Sequence, residues 1–296
     1  LCTAAAAGGR LRILKWARGI GWPWDASACS KPTGSGHLSI WARPNNFVRD
    51  LDTCAGAAAG GHLEVLQWAR ANGCKWDGRT CAFAAAGGHL DVLQWARAQG
   101  CHWGNAFMVA IPKRHLDMLK WMDAHGCPRP SMATKSAARA GHLHILEWMH
   151  ASNYVWDKSG IWKATIAGGH LGVLQWARCD GFYWDSRTCS GAAAGHLDII
   201  QWALANGCDW DASTCTAAAW GGHLEVLKWA RCNGCTWDEN TLTCARAATG
   251  GQFGILKWAR RNGCRWDERT CTSAAFAGRQ DKLDWAREEG CPHGSS

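Results

Sequence analysis

Tryptophan recurs in this chain at a period that no single globular core requires. Trp16, Trp41, Trp68, Trp95, Trp121, Trp148, Trp176, Trp202, Trp229, Trp258 and Trp285 follow one another at intervals of 25 to 29 residues, most often 27. Self-similarity at about 20–50 residues marks an array of short units, each unable to bury its apolar face alone, so that neighbours must stack. The aromatic usage agrees, with 22 Trp against two Tyr and six Phe. One aromatic has been copied with its unit, about eleven times over residues 1–296.

Residues 76–101 show the unit in its cleanest form. Asp77 reads as an N-cap, and Trp76 and Cys81 stand at the outer positions of a hydrophobic staple, as do Trp210 with Cys215 and Trp266 with Cys271. A first helix then runs through the Ala-rich stretch to about Ala86 and stops at Gly87-Gly88. A second runs from His89 to about Ala98, with Gly100 closing it at positive φ. Leu90, Val92, Leu93, Trp95 and Ala96 form its buried side, while Asp91, Gln94 and Arg97 point outward. Small alanines on one helix should receive the bulky indole of the other. The sequence predicts an all-α solenoid of stacked helix-turn-helix repeats forming one array over 1–296.

In this unit Ala84-Ala85, two residues, then Gly88-His89, with eleven steps from His89 to Gly100, resembles the ankyrin repeat. Gly-His-Leu recurs at 36–38, 61–63, 141–143, 169–171, 195–197 and 222–224, so the resemblance covers essentially the whole chain. The usual ankyrin repeat has about 33 residues; the residues lacking here fall between the closing glycine and the first helix, where the family carries its β-hairpin finger. Fingers are therefore expected to be absent or vestigial. The resemblance implies a non-catalytic scaffold for protein–protein interaction, with protein partners. It also implies where partners touch, because in that family the residues between Ala-Ala and Gly-His face the concave surface. Most units carry Ala at the first of these, as at Ala59 and Ala86, but the last three carry Trp220, Thr249 and Phe276. Arg246 joins them from the exposed side of its helix. These four are the candidate partner-binding residues.

Two stretches depart from the pattern. Near 29–54 one unit is two residues short and Pro44 cuts its second helix. From 104 to 163, Pro112 falls late in a first helix, Cys127-Pro128-Arg129-Pro130 replaces the Trp-Asp linker, and Trp162 stands where most units have Cys. The chain enters a unit midway and ends without an evident polar capping repeat, so it reads as a segment of a longer protein.

The 17 cysteines form two ladders, one in the first helix and one after the closing glycine. Pairing neighbours in sequence would join Cys74 to Cys81, but Cys101 and Cys127 then face Phe107 and Thr134, and Cys189 faces Phe182. A disulfide framework would not lose partners so readily, and Cys is a good small buried hydrophobe. Reduced thiols, and with them an intracellular, reducing compartment, are expected. Cys232-x-x-Cys235 has no second pair at zinc spacing, and no nucleophile elbow, phosphate loop or His-Glu-x-x-His pattern is present. The sequence therefore implies no metal, no cofactor, no small-molecule substrate and no enzymatic activity. No apolar run is long enough to span a membrane. Each Gly-His-Leu histidine should repeat a local hydrogen bond. Arg18, Arg43, Arg70, Arg97, Arg178, Arg231, Arg260 and Arg287 sit two residues after the ladder Trp, where cations complement the helix dipole. The net charge of +8 keeps a basic nucleic-acid-binding solenoid as a less favoured reading, because the aromatics are assigned to the core rather than to bases. A structural spacer within a larger assembly is the other alternative.

Overall fold

The computed structural model describes residues 2–22, 51–182, 187–237, 242–265, 269–270, 272–273, 284–286 and 288–290. Of the irregular stretch expected near 29–54, residues 29–50, with Trp41 and Arg43, lie outside the described residues, as do Phe276, Cys271 and Arg287. Among the described residues the regular elements are helices and none is a strand, so no finger hairpin forms there.

The helices come in pairs. The first pairs are α1 (Cys2–Ala7) with α2 (Leu11–Gly19), α3 (Leu51–Ala59) with α4 (Leu63–Ala71), and α5 (Gly78–Gly87) with α6 (Leu90–Ala98). Next come α7 (Ala106–Ala110) with α8 (Leu116–Ala124), and α9 (Ala133–Arg139) with α10 (Leu143–Ala151). The remaining pairs are α11 (Lys158–Gly168) with α12 (Leu171–Cys179), α13 (Arg187–Ala192) with α14 (Leu197–Ala205), α15 (Ala212–Gly221) with α16 (Leu224–Cys232), and α17 (Leu242–Thr249) with α18 (Phe253–Arg261). Two compact units result, Leu1–Ser136 with Glu147–Tyr154, and Ala137–Leu146 with Val155–Ser296. In the first unit α1 packs on α3, α3 on α5 and α5 on α7; in the second α11 packs on α13, α13 on α15 and α15 on α17. First helices thus stack on first helices, and each also packs on its own second helix, which is α-solenoid architecture.

Local chemistry explains the unit. Extended Asp77 accepts a hydrogen bond from the Arg79 amide at 2.9 Å, and Asp157 and Asp211 cap α11 and α15 likewise. At the end of α5 the His89 N–H reaches Ala84 O and the Gly88 N–H reaches Ala85 O, with Gly88 at φ 80°. This 6→1 and 5→2 pairing satisfies carbonyls the helix leaves over. The second helix closes identically, Cys101 to Ala96 and Gly100 to Arg97. The residue after each turn is thereby folded back over its helix: His after the first, Cys after the second.

The buried side of the second helix is narrower than its sequence suggests. In α6, Val92, Leu93 and Ala96 are fully enclosed, whereas Leu90 and Trp95 are only half-buried. At about 100° per residue, Trp95 falls at the margin of the arc those three define. The described ladder indoles are therefore not core; Trp16 is 60% exposed. They meet the linker indole of the same repeat edge-on, Trp76 with Trp95 at 5.6 Å and Trp210 with Trp229 at 5.7 Å. The preceding arginine covers the linker indole, Arg70 over Trp76 at 4.2 Å, Arg97 over Trp103 at 4.2 Å and Arg231 over Trp237 at 4.5 Å. Its guanidinium also donates to the carbonyl beyond the closing glycine, Arg70 to Cys74 at 2.6 Å, Arg97 to Cys101 and Arg231 to Cys235. Cation–π contact and carbonyl capping together tie each repeat to the next.

The histidines do more than a local job. They occupy the N-cap positions of the second helices without capping them. Instead Nε2 of His62, His89 and His170 donates to the carbonyls of Ala7, Ala59 and Arg139 at 3.1, 3.1 and 3.0 Å, each on the neighbouring first helix of the stack. The ring rests on that neighbour's turn glycine: a Cβ on Gly61 would stand 2.4 Å from His89 Nδ1, and one on Gly169 2.4 Å from His196 Cε1. The expected local bond is thus an inter-repeat bond.

The stretch 104–163 shows how an irregular linker is accommodated. Pro112 ends α7 after five residues in a tight turn over Ile111–Lys113, and Arg114 takes φ 63° in place of glycine. Asp123 occupies the ladder-arginine position, and the linker supplies the cation instead. Arg129 grips its carboxylate through Nε at 2.7 Å and Nη2 at 2.8 Å, Tyr154 donates to it at 2.9 Å, and Arg129 lies 4.4 Å above the Tyr154 ring. The Arg129 hydrogen bond holds the Asp123 carboxyl below the usual carboxylate range, with burial opposing and Tyr154 assisting. A depressed folded pKa contributes stability above the unfolded value, and that stability is lost as pH falls through the folded one. Asp123→Asn should therefore cost roughly 1–2 kcal/mol near neutrality, with a gap from wild type that closes below about pH 4. Urea midpoints measured across pH check this, and a gap that widens in acid contradicts it.

Candidate partner-binding groove

The first helices of the second unit turn two faces in two directions. On α15, Thr214, Cys215, Ala218 and Ala219 are buried, while Ser213, Thr216, Ala217 and Trp220 recur at helical spacing on the other face. Lys163 and Ala167 of α11 and Ser190 and Gly191 of α13 present the equivalent face, with buried Ile166 reaching the groove from behind it. The lining side chains of α13, Ser190 and Gly191, are small. The result is a groove of about 670 Å³, which Arg246 of α17 also lines.

Its floor is small and its margins are not. Gly191, Ala194, Ser213 and Ala217 leave backbone within reach of an occupant, while Trp220 keeps 57% of its surface in water. Lys163 and Arg246 are both exposed, His196 joins them, and no carboxylate is among the lining residues. Gly250 is required at the Trp220 end, since a Cβ there would stand 2.4 Å from Trp220 O.

Two of the four residues singled out from sequence, Trp220 and Arg246, line this groove together. Thr249 is exposed at the end of α17 but lies outside the lining, and its hydroxyl donates to Ala245 O at 2.9 Å. Phe276 lies outside the described residues. Sequence reasoning missed Lys163, Ser190 and Ser213, which come from repeats with no aromatic to draw attention. It also missed Phe83 of α5, 46% exposed in the first unit, although an aromatic inside an alanine run was the signal it used elsewhere. Among the described residues no three His, Cys, Asp or Glu side chains converge as metal ligands do, and no helix is long and apolar enough to cross a membrane.

Residues 189–231 match the family model described as ankyrin repeats (many copies). This stretch is an ankyrin-repeat segment, and its helix pair recurs through the other described repeats, with Arg114 in place of one turn glycine and Arg10 and Gln252 in place of two histidines. The ankyrin repeat domain of human ASB11 is similar in structure at 16% identity and TM-score 0.45, over 53% of this chain and 84% of that one. The pentatricopeptide repeat protein PPR10 in complex with an 18-nt psaJ RNA element gives 14% identity and TM-score 0.42, over 98% of this chain and 48% of that one. PPR10 from maize gives 14% identity and TM-score 0.37, over 98% and 49%. The chain thus spans about half the length of the pentatricopeptide repeat structures. No curated protein matches the chain.

Proposed function

We propose that this chain is a non-catalytic binding scaffold whose groove along α11, α13, α15 and α17 takes an extended acidic segment of a partner protein. Ankyrin repeats in general mediate protein–protein interaction, which supports the class of partner. The observation that carries its chemistry is the lining itself: Lys163 and Arg246 with no carboxylate among them, beside an exposed indole. Trp and Arg are the types most enriched in binding hot spots, and a floor of Gly, Ala and Ser lets a peptide backbone approach. Thr249 and Phe276 extend the same row in this reading. A reducing intracellular compartment fits the buried thiols.

A nucleic-acid partner has less support. Arg70, Arg97 and Arg231 of the arginine ladder are committed to linker rings and carbonyls, which leaves these three less available to phosphate. A spacer role would leave the exposed Trp220 without a use.

The test is selection of short random peptides displayed against wild-type protein and against the Lys163→Glu, Arg246→Glu variant. Wild type should enrich Asp and Glu around an aromatic or aliphatic residue, and charge reversal should abolish that enrichment. Enrichment that survives reversal, or RNA binding whose affinity falls steeply with salt, would overturn the proposal.

A further inference from the structure

The two cysteine ladders meet, but not in the register that sequence proximity suggests. The first-helix cysteine faces the one that follows its own second helix, about twenty positions on. Sγ–Sγ distances are 3.2 Å for Cys54 and Cys74, 3.5 Å for Cys189 and Cys208, 3.0 Å for Cys215 and Cys235, and 2.8 Å for Cys244 and Cys264. Cys81 and Cys101 face each other in the same register, Cys81 Sγ lying 4.0 Å from Cys101 O while Cys101 Sγ donates to Asp77 O at 3.2 Å. Cys74 therefore belongs with Cys54 rather than with Cys81.

In this register six repeats carry cysteine at both positions. At the same spacing, Thr134 stands with Tyr154 and Trp162 with Phe182, repeats with no cysteine in either ladder. Cys2 with Trp22, Cys127 with Phe107, and Cys29, which no cysteine follows before Cys54, keep one of the two, and Cys271 with Cys291, outside the described residues, keeps both.

We infer that each two-cysteine repeat is a dithiol modification site, closed by a disulfide oxidant such as oxidised glutathione into a bridge that staples the first helix to the turn after the second. The sulfurs must approach by only about 1 Å to reach bonding distance near 2.0 Å. The turn cysteine is the nucleophile. Cys235 lies directly beyond the exposed Asn233-Gly234 turn, so local opening there reaches it first. The hydrogen bond from the partner thiol holds Cys101 and Cys235 below the ordinary thiol range, against burial and with help from Arg97 and Arg231. The same bond, together with burial, pushes Cys81 and Cys215 up, keeping them protonated until needed.

The chemistry balances. The Cys235 thiolate attacks one sulfur of oxidised glutathione and expels one glutathione thiolate. The Cys215 sulfur, giving its proton to solvent, then attacks Cys235 in the mixed disulfide and expels the second. The protein loses two electrons and two protons, and the oxidant becomes two thiols. Ser190 and Thr216 of the groove directly follow Cys189 and Cys215 in the chain, so these bridges would brace the groove from behind.

The experiment is to expose the fully reduced protein to oxidised glutathione and map cysteine peptides without reductant. Expected are bridges 54–74, 81–101, 189–208, 215–235 and 244–264, each with loss of two hydrogens and together with a raised melting temperature, while exposed Cys179 and Cys232 take only single adducts. Cys215→Ser should leave Cys235 as a lasting glutathione adduct while the other pairs still close. Should that variant unfold, a trivalent arsenical, which bridges adjacent thiols, should load reduced wild type at one arsenic per pair with helicity intact. Bridges joining Cys74 to Cys81, Cys235 to Cys244 or Cys232 to Cys235, adducts without bridges, or failure to load arsenic would each overturn the inference.

Discussion

Leu93→Ala is expected to lower the free energy of unfolding by about 3–5 kcal/mol, the cost of opening a cavity at an enclosed leucine. Leu93 is fully buried between Val92 and Ala96 on the inner arc of α6, where no water reaches to refill the space. Trp95 is much larger yet should cost less, about 1–3 kcal/mol, because truncation removes an edge contact with Trp76 and part of a half-exposed surface. Gln94, exposed between them, should stay within about 0.5 kcal/mol when changed to alanine. Urea denaturation of the three variants gives the ranking directly. A Trp95 effect larger than that of Leu93 would return the indole ladder to the core.

Gly61→Ala should cost about 2–4 kcal/mol, and Gly100→Ala only about 1–2. Both glycines have positive φ, 72° and 79°, so each substitution incurs the left-handed penalty of an L-residue. Around Gly100 a new Cβ meets nothing within 4 Å. At Gly61 it would press into the His89 ring, and relief of the clash pulls Nε2 from Ala59 O, a bond of 3.1 Å. The difference between the two variants measures the histidine lock between repeats. Equal losses would mean that the lock contributes nothing.

The sequence and the structure agree where local chemistry decides. Asp77 as a cap, Gly88 and Gly100 as left-handed closures and the two helices between them follow from side-chain hydrogen bonding and backbone sterics within a few residues. They part where a side chain reaches into the neighbouring repeat. His89 sits at a cap position, and nothing in its own repeat reveals that its ring spans to Ala59. Arg97 reads as a dipole partner, and the indole beneath it belongs to the next linker. Cys54 lies twenty positions from Cys74 in sequence and Cys74 only seven from Cys81, so proximity along the chain favours the wrong partner. The groove was half legible. Trp220 and Arg246 announce themselves by breaking an alanine pattern, whereas Lys163 and Ser190 become neighbours of Trp220 only when α11 and α13 stack beside α15.

The most direct measurement is the affinity of a selected acidic peptide for wild type, Trp220→Ala and Arg246→Glu, each paired with its melting temperature. The account predicts at least about tenfold weaker binding for each variant, a loss of about 1.4 kcal/mol, with melting unchanged because both side chains are exposed. Undiminished binding, or weakening matched by a marked fall in melting temperature, would contradict it and assign Trp220 to the packing between repeats.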